Sequence, residues 1–380
     1  MNYDPKGTVN FDNSASSFPK PDRVRFAVAE GIKKYGGNPG RGGHALSMAA
    51  AEQVYKVRRQ AAELFSAQVE NVAFTPNCTY ALNMAIKGIM QYGGHIIISG
   101  YEHNACARPV YALTKRGVKC SVAEIFDDDG QTVAGMEKLI RQDTLCICCM
   151  IASNVTGRIL PYKQIAQLCR RHKIAFIADG AQACGVLDIS LDDGMSFLCT
   201  SGQKGLYGPS GTGMLITSGE YPLSTIIEGG TGATSAELEQ TPYMPEKLES
   251  GSINTPGIMG LGAGMTYIKS MGTKRIREHE AAMCQALEQG LDKLGAVIYD
   301  KGRERVPIVA FNLKGKSSEE TAAKLNSRGF SLRGGLHCAA LAHETLGTLR
   351  TGAVRFSPSA FNNMSQVGAL LNALGEIDRQ

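Results

Sequence analysis

Two residues with the chemistry of a cofactor site stand 25 positions apart, each after an apolar run. Asp179 ends the run that starts at residue 174, and Lys204 lies in the segment Ser201-Gly202-Gln203-Lys204-Gly205. A strand-end carboxylate can hold a cationic ring nitrogen, and a lysine outside any charge cluster can form a Schiff base when burial lowers its pKa. Pyridoxal phosphate requires this pair of groups. A turn lysine and a strand-end aspartate without a shared ligand are the alternative, and the spacing alone does not decide.

A phosphate site is expected next to such a pair. The segment Thr75-Pro76-Asn77-Cys78-Thr79 joins an apolar run to a predicted helix, so backbone N–H groups and the Thr79 hydroxyl lie at a helix N-terminus, where anions bind. A helix cap with a purely structural role is the alternative. The segment Gly260-Leu261-Gly262-Ala263-Gly264 is not a dinucleotide-binding motif, because no predicted strand precedes it.

Three further residues differ from their surroundings. His103 follows a predicted strand and would stack on a planar cofactor and shuttle protons, or else lie in a surface loop. Cys338 lies in a glycine-containing loop beside His337 and near Arg333, a setting that favours the thiolate and access to it. Arg355 is a charge inside a strand-like run, so we expect an anionic partner, and a substrate carboxylate bound in a bidentate manner would serve.

Apolar runs alternate with helical patterns along most of the chain, which predicts a mostly parallel sheet covered by helices on both faces. In such sheets ligands bind beyond the carboxyl ends of the strands. From about residue 200 to 260 the chain is rich in Gly, Pro, Ser and Thr, as in loops over a site. The predicted strands span residues 72–75, 95–99, 145–153, 174–179, 197–201, 213–217 and 306–313. The predicted helices span residues 22–34, 45–66, 79–91, 104–116, 161–172, 260–293, 317–328 and 364–378.

Composition limits the class of protein. Of 380 residues, 43% are apolar and 20% are charged, so the chain can bury a large core. The formal net charge of +5 is scattered along the chain, which argues against a dedicated surface for nucleic acid or anionic membranes. The most apolar stretch, residues 145–152, is too short for a membrane-spanning helix.

The cysteines indicate a reducing compartment. Many of the eleven lie inside apolar runs, and the first fourteen residues carry charges where a signal peptide needs an apolar run, so we expect a cytoplasmic protein. Cys146 and Cys149 form a C-x-x-C pattern. In a strand their side chains would point to opposite faces, so core packing is favoured over a metal or redox role, and we expect no metal.

The motifs, taken in order, resemble the pyridoxal-phosphate-dependent cysteine desulfurase and selenocysteine lyase family, within the class V aminotransferase group. The likeness covers essentially the whole chain, and the ordered series is far more specific than any one of its parts. The parts are Phe11-Asp12-Asn13-Ser14-Ala15, Phe18-Pro19-Lys20-Pro21, Ser153-Asn154-Val155-Thr156-Gly157, Asp179-Gly180-Ala181-Gln182, Lys204 with Tyr207-Gly208-Pro209, Glu249-Ser250-Gly251-Ser252-Ile253-Asn254-Thr255-Pro256 and the loop of residues 333–338.

The resemblance implies a fold and a domain organisation. The fold would be α/β, fold type I of the pyridoxal-phosphate-dependent transferases. A large cofactor-binding domain, residues 15–265, would hold a mostly parallel sheet of the seven-stranded type. Residues 1–14 and 266–380 would form a smaller α+β domain that carries the catalytic cysteine loop, which looks like the short-loop branch of the family.

The resemblance also implies roles for individual residues. Lys204, His103 and Cys338 would be catalytic, with Cys338 as the sulfur acceptor. Asp179 would bind the ring nitrogen of pyridoxal 5'-phosphate, Gln182 its ring hydroxyl, and His103 would stack on the ring. The remaining cofactor contacts would come from Cys78, Thr79, Ser201 and Gln203, and from Ser252 of the neighbouring subunit. The substrate contacts would come from Asn154, Arg333, Arg355, Arg41 and His44.

Two positions depart from the family pattern. Gln203 stands where related enzymes often have His directly before the cofactor lysine, so a neutral donor replaces one that can be charged. Cys78 stands where a hydroxyl or small residue is commoner, and a thiol is a poorer phosphate donor. Neither change removes a group that the chemistry requires.

The expected activity is conversion of L-cysteine, L-selenocysteine or both to L-alanine, with the sulfur or selenium transferred to or released at Cys338. The protein would be a homodimer that serves an acceptor protein and binds neither nucleic acid nor membrane. The alternatives are a dedicated selenocysteine lyase, an aminotransferase or other β-eliminating lyase, and a catalytically silent binding protein. Cys338 counts against the aminotransferase, and the set of Lys204, Asp179 and Cys338 counts against the silent protein. The sequence does not separate selenium from sulfur.

Overall fold

The computed structural model describes residues 7–40 and 42–380. Its strands are β1 (Val9–Asn10), β2 (Val72–Thr75), β3 (His95–Ser99), β4 (Lys119–Ala123), β5 (Thr144–Met150), β6 (Ala175–Asp179), β7 (Phe197–Ser201), β8 (Gly213–Thr217), β9 (Val297–Ile298), β10 (Val309–Asn312), β11 (Phe330–Ser331) and β12 (Val354–Phe356). Its α-helices are α1 (Asp22–Lys34), α2 (Ala45–Phe65), α3 (Cys78–Ile89), α4 (Asn104–Thr114), α5 (Asp129–Lys138), α6 (Tyr162–His172), α7 (Thr255–Met271), α8 (Thr273–Lys293), α9 (Ser318–Asn326), α10 (Ala340–Thr345) and α11 (Met364–Asp378).

Seven strands form the central sheet, in the order β2-β8-β7-β6-β5-β3-β4. All run parallel except β8, which is antiparallel to both of its neighbours. Every residue of β6 and β7 is buried, because helices cover both faces. Side chains of α2, α5, α6 and α7 pack on one face, and those of α3 and α4 pack on the other. The predicted parallel sheet with two covered faces is confirmed.

The carboxyl ends of β3, β5, β6 and β7 lie at one edge of this sheet, since these four strands are parallel. Asp179 is the last residue of β6 and Ser201 the last of β7. The residues with cofactor chemistry therefore lie together at the edge where α/β sheets bind ligands.

A second, smaller set of elements surrounds its own core. Strands β12, β10 and β9 form an antiparallel sheet, and β1 pairs with β11. Side chains of α8, α9 and α11 pack with Phe11, Phe311 and Phe356 into a separate apolar cluster. The predicted domain boundary at residue 265 falls within α7, and the division into two domains stays a prediction.

Several predicted elements have different bounds. The predicted helix over residues 260–293 is two helices, α7 and α8, which meet at Gly272 with φ +83°. Helix α7 already begins at Thr255, where the Asn254 side chain accepts a hydrogen bond from the Gly257 N–H. Strand β4 was not predicted, because it is a half-exposed edge strand without a continuous apolar run. Helix α5, which follows it, was also not predicted. Residues 218–254 contain no helix or strand, as expected from their composition.

The C-x-x-C pair lies in the core as predicted. The Cys146 and Cys149 side chains belong to apolar clusters on opposite faces of the sheet. Within the described ranges 7–40 and 42–380, no helix is both long and apolar enough to cross a membrane.

The three glycines of the Gly260-Leu261-Gly262-Ala263-Gly264 segment lie inside α7, where each allows a close contact. An added Cβ would lie 2.6 Å from the Val28 side chain at Gly260, 2.6 Å from the Val57 side chain at Gly262 and 2.3 Å from the Leu206 carbonyl oxygen at Gly264. The helix therefore packs at backbone distance against α1, α2 and the loop that follows Lys204. The segment serves packing, in line with its rejection as a dinucleotide motif.

Replacing Gly264 by Ala should lower the free energy of unfolding by about 2 kcal/mol, because the Leu206 carbonyl is backbone and must shift. The control is Gly368→Ala in α11, where an added Cβ meets nothing within 4 Å. That change should raise stability by about 0.5 to 1 kcal/mol through helix propensity. Urea unfolding of both variants measures the difference, and equal effects would contradict the packing role of Gly264.

Candidate active site

A cavity of about 330 Å³ opens at the carboxyl edge of the central sheet. Three parts of the chain build it: the ends of the parallel strands, the N-terminus of α3, and loops next to the smaller sheet. Most residues singled out in the sequence line it together, namely Cys78, Thr79, His103, Asn154, Asp179, Gln182, Ser201, Gln203, Lys204, Arg333, Cys338 and Arg355.

Two predicted residues, His44 and Ser252, lie elsewhere. His44 caps α2, where its Nδ1 accepts a hydrogen bond from the Ser47 N–H. Ser252 lines a separate cavity of about 290 Å³ near Tyr80, and its hydroxyl accepts a hydrogen bond from the Asn38 amide. Arg41 lies outside the described residues.

Asp179 is buried at the end of β6. Its Oδ1 accepts a hydrogen bond from the Ala181 N–H at 2.9 Å and a second from the Cys78 thiol at 3.4 Å. The thiol of Cys78 is thus directed at the residue predicted to bind the ring nitrogen, whereas the sequence predicted a side-chain contact with phosphate. Burial explains the difference: it raises the pKa of Cys78, so the thiol stays protonated and donates its hydrogen to the nearby Asp179 carboxylate.

Lys204 lies in a turn whose backbone carbonyls accept hydrogen bonds from the side chains of Ser17 and Lys20. The Ser17 hydroxyl donates to the Lys204 carbonyl at 3.1 Å, and the Lys20 ammonium donates to the Gln203 carbonyl at 2.7 Å. Burial lowers the pKa of Lys204, against the opposing effect of the Asp179 carboxylate. A lysine amine that can lose its proton is a nucleophile toward an aldehyde, as the predicted role requires.

His103 caps α4, and its Nδ1 accepts a hydrogen bond from the Ala105 N–H at 3.0 Å. Burial lowers the pKa of His103 to about 4, so the ring is neutral near pH 7. Since Nδ1 is an acceptor, the ring proton of the neutral form is on Nε2. This geometry suits a flat stacking surface with one N–H donor, and leaves neither ring nitrogen free to take a proton at neutral pH.

Asp12 provides the anionic partner expected for Arg355. The Arg355 guanidinium is completely buried in β12, and its Nη2 lies 2.6 Å from the Asp12 Oδ1. The half-exposed Arg333 approaches the other oxygen of Asp12 at 3.2 Å. The Nη1 of Arg355 donates to the Asn154 carbonyl at 2.8 Å. Two cations and one carboxylate thus leave a net positive charge, which favours a substrate carboxylate.

Cys338 is the one exposed cysteine of the eleven, all of which lie in the described part of the chain. Its carbonyl accepts a hydrogen bond from the Asn104 N–H at 2.7 Å, which brings the cysteine loop to the start of α4 beside His103. The Asn154 amide donates to the His337 carbonyl at 2.9 Å. The expected accessibility of Cys338 is therefore confirmed. The His337 ring, by contrast, is buried and bonded within its own loop.

Glu102 is a buried residue that the sequence did not single out, although it directly precedes His103. Its Oε1 accepts hydrogen bonds from the Ser99 hydroxyl and the Met150 N–H, and so joins the ends of β3 and β5. Burial raises the pKa of Glu102 to about 8, and its carboxyl supports the strand edge on which the site is built.

The Aminotransferase class-V family model matches residues 9–370 of this chain. The chain belongs to the class-V aminotransferase family. A probable cysteine desulfurase of Pyrococcus abyssi is 30% identical over 97% of this chain and 94% of its own length. A cysteine desulfurase of Pectobacterium carotovorum is also 30% identical, over 97% of this chain and 92% of its own. The apo structure of a cysteine desulfurase from Thermococcus onnurineus NA1 has a TM-score of 0.91 at 28% identity, and covers 98% of this chain and 95% of that chain.

Membership confirms the predicted fold type and cofactor, because class-V aminotransferases are enzymes dependent on pyridoxal 5'-phosphate. Four polar side-chain atoms in the cavity wall are buried and have no hydrogen-bond partner among the described residues: Asn154 Oδ1, Ser201 Oγ, Gln203 Oε1 and Arg355 Nε. Buried polar atoms are rarely left unpaired, so these indicate a bound polar ligand. This class-V family member therefore has unpaired donors (Ser201 Oγ and Arg355 Nε) and unpaired acceptors (Asn154 Oδ1 and Gln203 Oε1) that fit a polar cofactor and its substrate.

Replacing Asp12 by Asn should lower the free energy of unfolding by about 3 kcal/mol, because it leaves the buried Arg355 without its carboxylate. The control is Asp22→Asn, whose partner Arg25 lies on the exposed surface of α1, and which should change stability by less than about 0.5 kcal/mol. Urea unfolding of the cofactor-free proteins gives both values. Similar losses in the two variants would show that Asp12 does not stabilise Arg355.

Proposed function

We propose that this chain is a cysteine desulfurase, which converts L-cysteine to L-alanine and keeps the sulfur on Cys338. The observation that carries the proposal is the place of Cys338. The single exposed cysteine lies at the wall of the cavity that also holds Lys204 and Asp179. The similar proteins named cysteine desulfurases support the same activity. An aminotransferase on this fold would have no use for that cysteine.

The residues around Lys204 divide into those that would hold the ring and those that would hold the phosphate. Lys204 would attach the cofactor, Asp179 would bind its ring nitrogen, Gln182 its hydroxyl, and the neutral His103 ring would stack on it. The N-terminus of α3 with Thr79, together with the unpaired Ser201 hydroxyl and the amide N–H of Gln203, would bind the phosphate. When bound, pyridoxal 5'-phosphate stabilises negative charge at the substrate Cα.

Substrate binding would use the cationic end of the cavity. Arg355 and Arg333, which share Asp12, would bind the substrate carboxylate, with the Asn154 side chain beside them. The unpaired Arg355 Nε is a donor left for that carboxylate, whereas the unpaired Asn154 Oδ1 can only accept and would suit the substrate ammonium group. The Lys204 amine would then move the proton at the substrate Cα.

The sulfur step would use Cys338 as a thiolate. Its sulfur attacks the substrate Sγ, so an S–S bond forms and the substrate Cβ–Sγ bond breaks. The electron pair of the broken bond stays with the carbon skeleton, which takes up a proton and leaves as alanine. Cys338 is left as a persulfide, and an acceptor protein or an added thiol removes the terminal sulfur.

We also propose a homodimer located in the cytoplasm. Phe26 and Ile32 on α1, and Met48 and Tyr55 on α2, are large apolar side chains with more than half of their surface exposed. A second copy that packs on these helices would cover the four side chains, and Ser252 would reach the cofactor phosphate of the partner's site. The cytoplasm is favoured by ten free cysteines that are not exposed.

Replacing Cys338 by Ser should abolish alanine release from L-cysteine, measured with added reductant and pyridoxal 5'-phosphate, because the sulfur then has no acceptor. The control is Cys120→Ser, since Cys120 is the only other cysteine that is not fully buried. Sustained alanine formation by Cys338→Ser would overturn the nucleophile role. The same assay with L-selenocysteine decides the alternative: release from selenocysteine alone would make this a selenocysteine lyase.

Replacing Lys204 by Ala should abolish the visible absorbance that the wild-type protein acquires with pyridoxal 5'-phosphate, because the attachment point is lost. The surface variant Lys115→Ala serves as the control. An unchanged band in Lys204→Ala would mean that another lysine holds the cofactor.

A further inference from the structure

A buried chain of hydrogen bonds runs behind the cysteine loop. The Nε2 of His337 lies 3.2 Å from the Arg333 carbonyl oxygen, and its Nδ1 lies 3.3 Å from the Nε2 of His343. The Nδ1 of His343 lies 2.7 Å from the Thr348 hydroxyl oxygen. All three side chains are buried, at 5%, 0% and 3% exposure in the order His337, His343, Thr348. We call His337, His343 and Thr348 the histidine chain.

The donors and acceptors of the histidine chain follow from its first member. The Arg333 carbonyl can only accept, so the Nε2 of His337 carries the proton and its Nδ1 accepts. His343 must then donate through its own Nε2, and its Nδ1 accepts from the Thr348 hydroxyl. Every link is satisfied with both rings neutral, and burial lowers the pKa of both, that of His337 to about 2.

The histidine chain cannot serve as a base for Cys338. Both nitrogens of His337 are engaged, Nδ1 by His343 and Nε2 by the Arg333 carbonyl. The histidine chain also cannot relay a proton away from Cys338, because it ends at the Arg333 carbonyl oxygen, which is not a base. The charged groups nearest to His337, Arg333 and Arg355, also disfavour a second positive charge there.

The backbone of the cysteine loop needs support from such a structure. His337 and Cys338 have φ values of +51° and +55°, in the left-handed region that residues with a side chain rarely adopt because Cβ comes too close to the following carbonyl oxygen. The two carbonyls are held by the Asn154 amide and the Asn104 N–H. The ring of His337 holds the loop from the other side, since its bond to the Arg333 carbonyl closes residues 333–337 into a turn.

We propose that His343 is a positioning residue for the reaction: it fixes the His337 ring so that the loop presents the Cys338 thiol to the substrate. This inference rests on the proposed sulfur transfer to Cys338. His343 does not line the cavity. It acts through His337 alone.

The test compares His343→Leu, which removes the donor to His337, with His343→Gln, whose amide can replace that donor. We expect His343→Leu to lower kcat for L-cysteine about tenfold, the loss expected from one to two hydrogen bonds. KM should change less than about threefold, because the thiol attacks only after substrate binds. His343→Gln should recover kcat to within about threefold of wild type. Thr348→Val should give a smaller fall, and it replaces His343→Leu if that variant does not fold.

The matched control is His95→Leu. His95 is also completely buried, with one ring nitrogen bonded to the Thr144 hydroxyl and the other to the Ser121 hydroxyl. It is the first residue of β3, at the opposite end of the strand from the site. We expect His95→Leu to lower the melting temperature by about as much as His343→Leu does, and to keep the wild-type kcat. The proposal would be overturned if His95→Leu lowered kcat as much as His343→Leu, or if His343→Gln did not recover kcat.

A second readout does not depend on sulfur chemistry. Trypsin cleavage after Arg333 in the cofactor-free protein, followed by mass spectrometry, should be about tenfold faster in His343→Leu than in wild type or His95→Leu, because the turn of residues 333–337 opens. If wild type releases no alanine from cysteine, the proposed function fails and this cleavage rate alone decides whether the histidine chain holds the loop. Unchanged cleavage in His343→Leu would overturn the positioning role.

Discussion

The carboxylate of Asp12 is the contact on which the geometry of the site depends. Arg355, completely buried in β12, is a charge that the interior tolerates only with a partner, and Asp12 supplies it. The same arginine reaches the Asn154 carbonyl, which follows β5 of the central sheet. One carboxylate near the N-terminus thereby fixes the smaller sheet against the large one. The cationic end of the cavity lies at this junction.

The cofactor end of the site could be predicted from the sequence. Asp179 and Ser201 end strands whose residues are all buried, and a fully apolar run that stops at a polar residue is visible in the local pattern. Lys204 stood out for a similar reason, as a cation in a glycine-containing turn. Cys338 differed from the other cysteines by its loop, and it is the exposed one. In each case the signal lies within a few residues of the side chain concerned.

The rest depends on contacts between distant parts of the chain. Asp12 and Arg355 are 343 positions apart, and no local pattern pairs them. Glu102 looks like an ordinary charged residue beside His103, yet it is completely buried between two strand ends. Nothing in the sequence around His343 shows that its ring will meet His337. Edge strand β4 was missed for the opposite reason: its side chains are half exposed, so it lacks the apolar run by which central strands are recognised.

The burial of the other cysteines has a consequence for the sulfur transfer proposed at Cys338. Nine of the eleven thiols are buried, and burial raises the pKa of Cys146, Cys149 and Cys199 well above the ordinary value. Neutral thiols closed off from solvent exchange sulfur slowly, because exchange requires an accessible thiolate. Under the proposed sulfur transfer, the nine buried thiols would therefore not compete with an outside acceptor for the sulfur on the exposed Cys338.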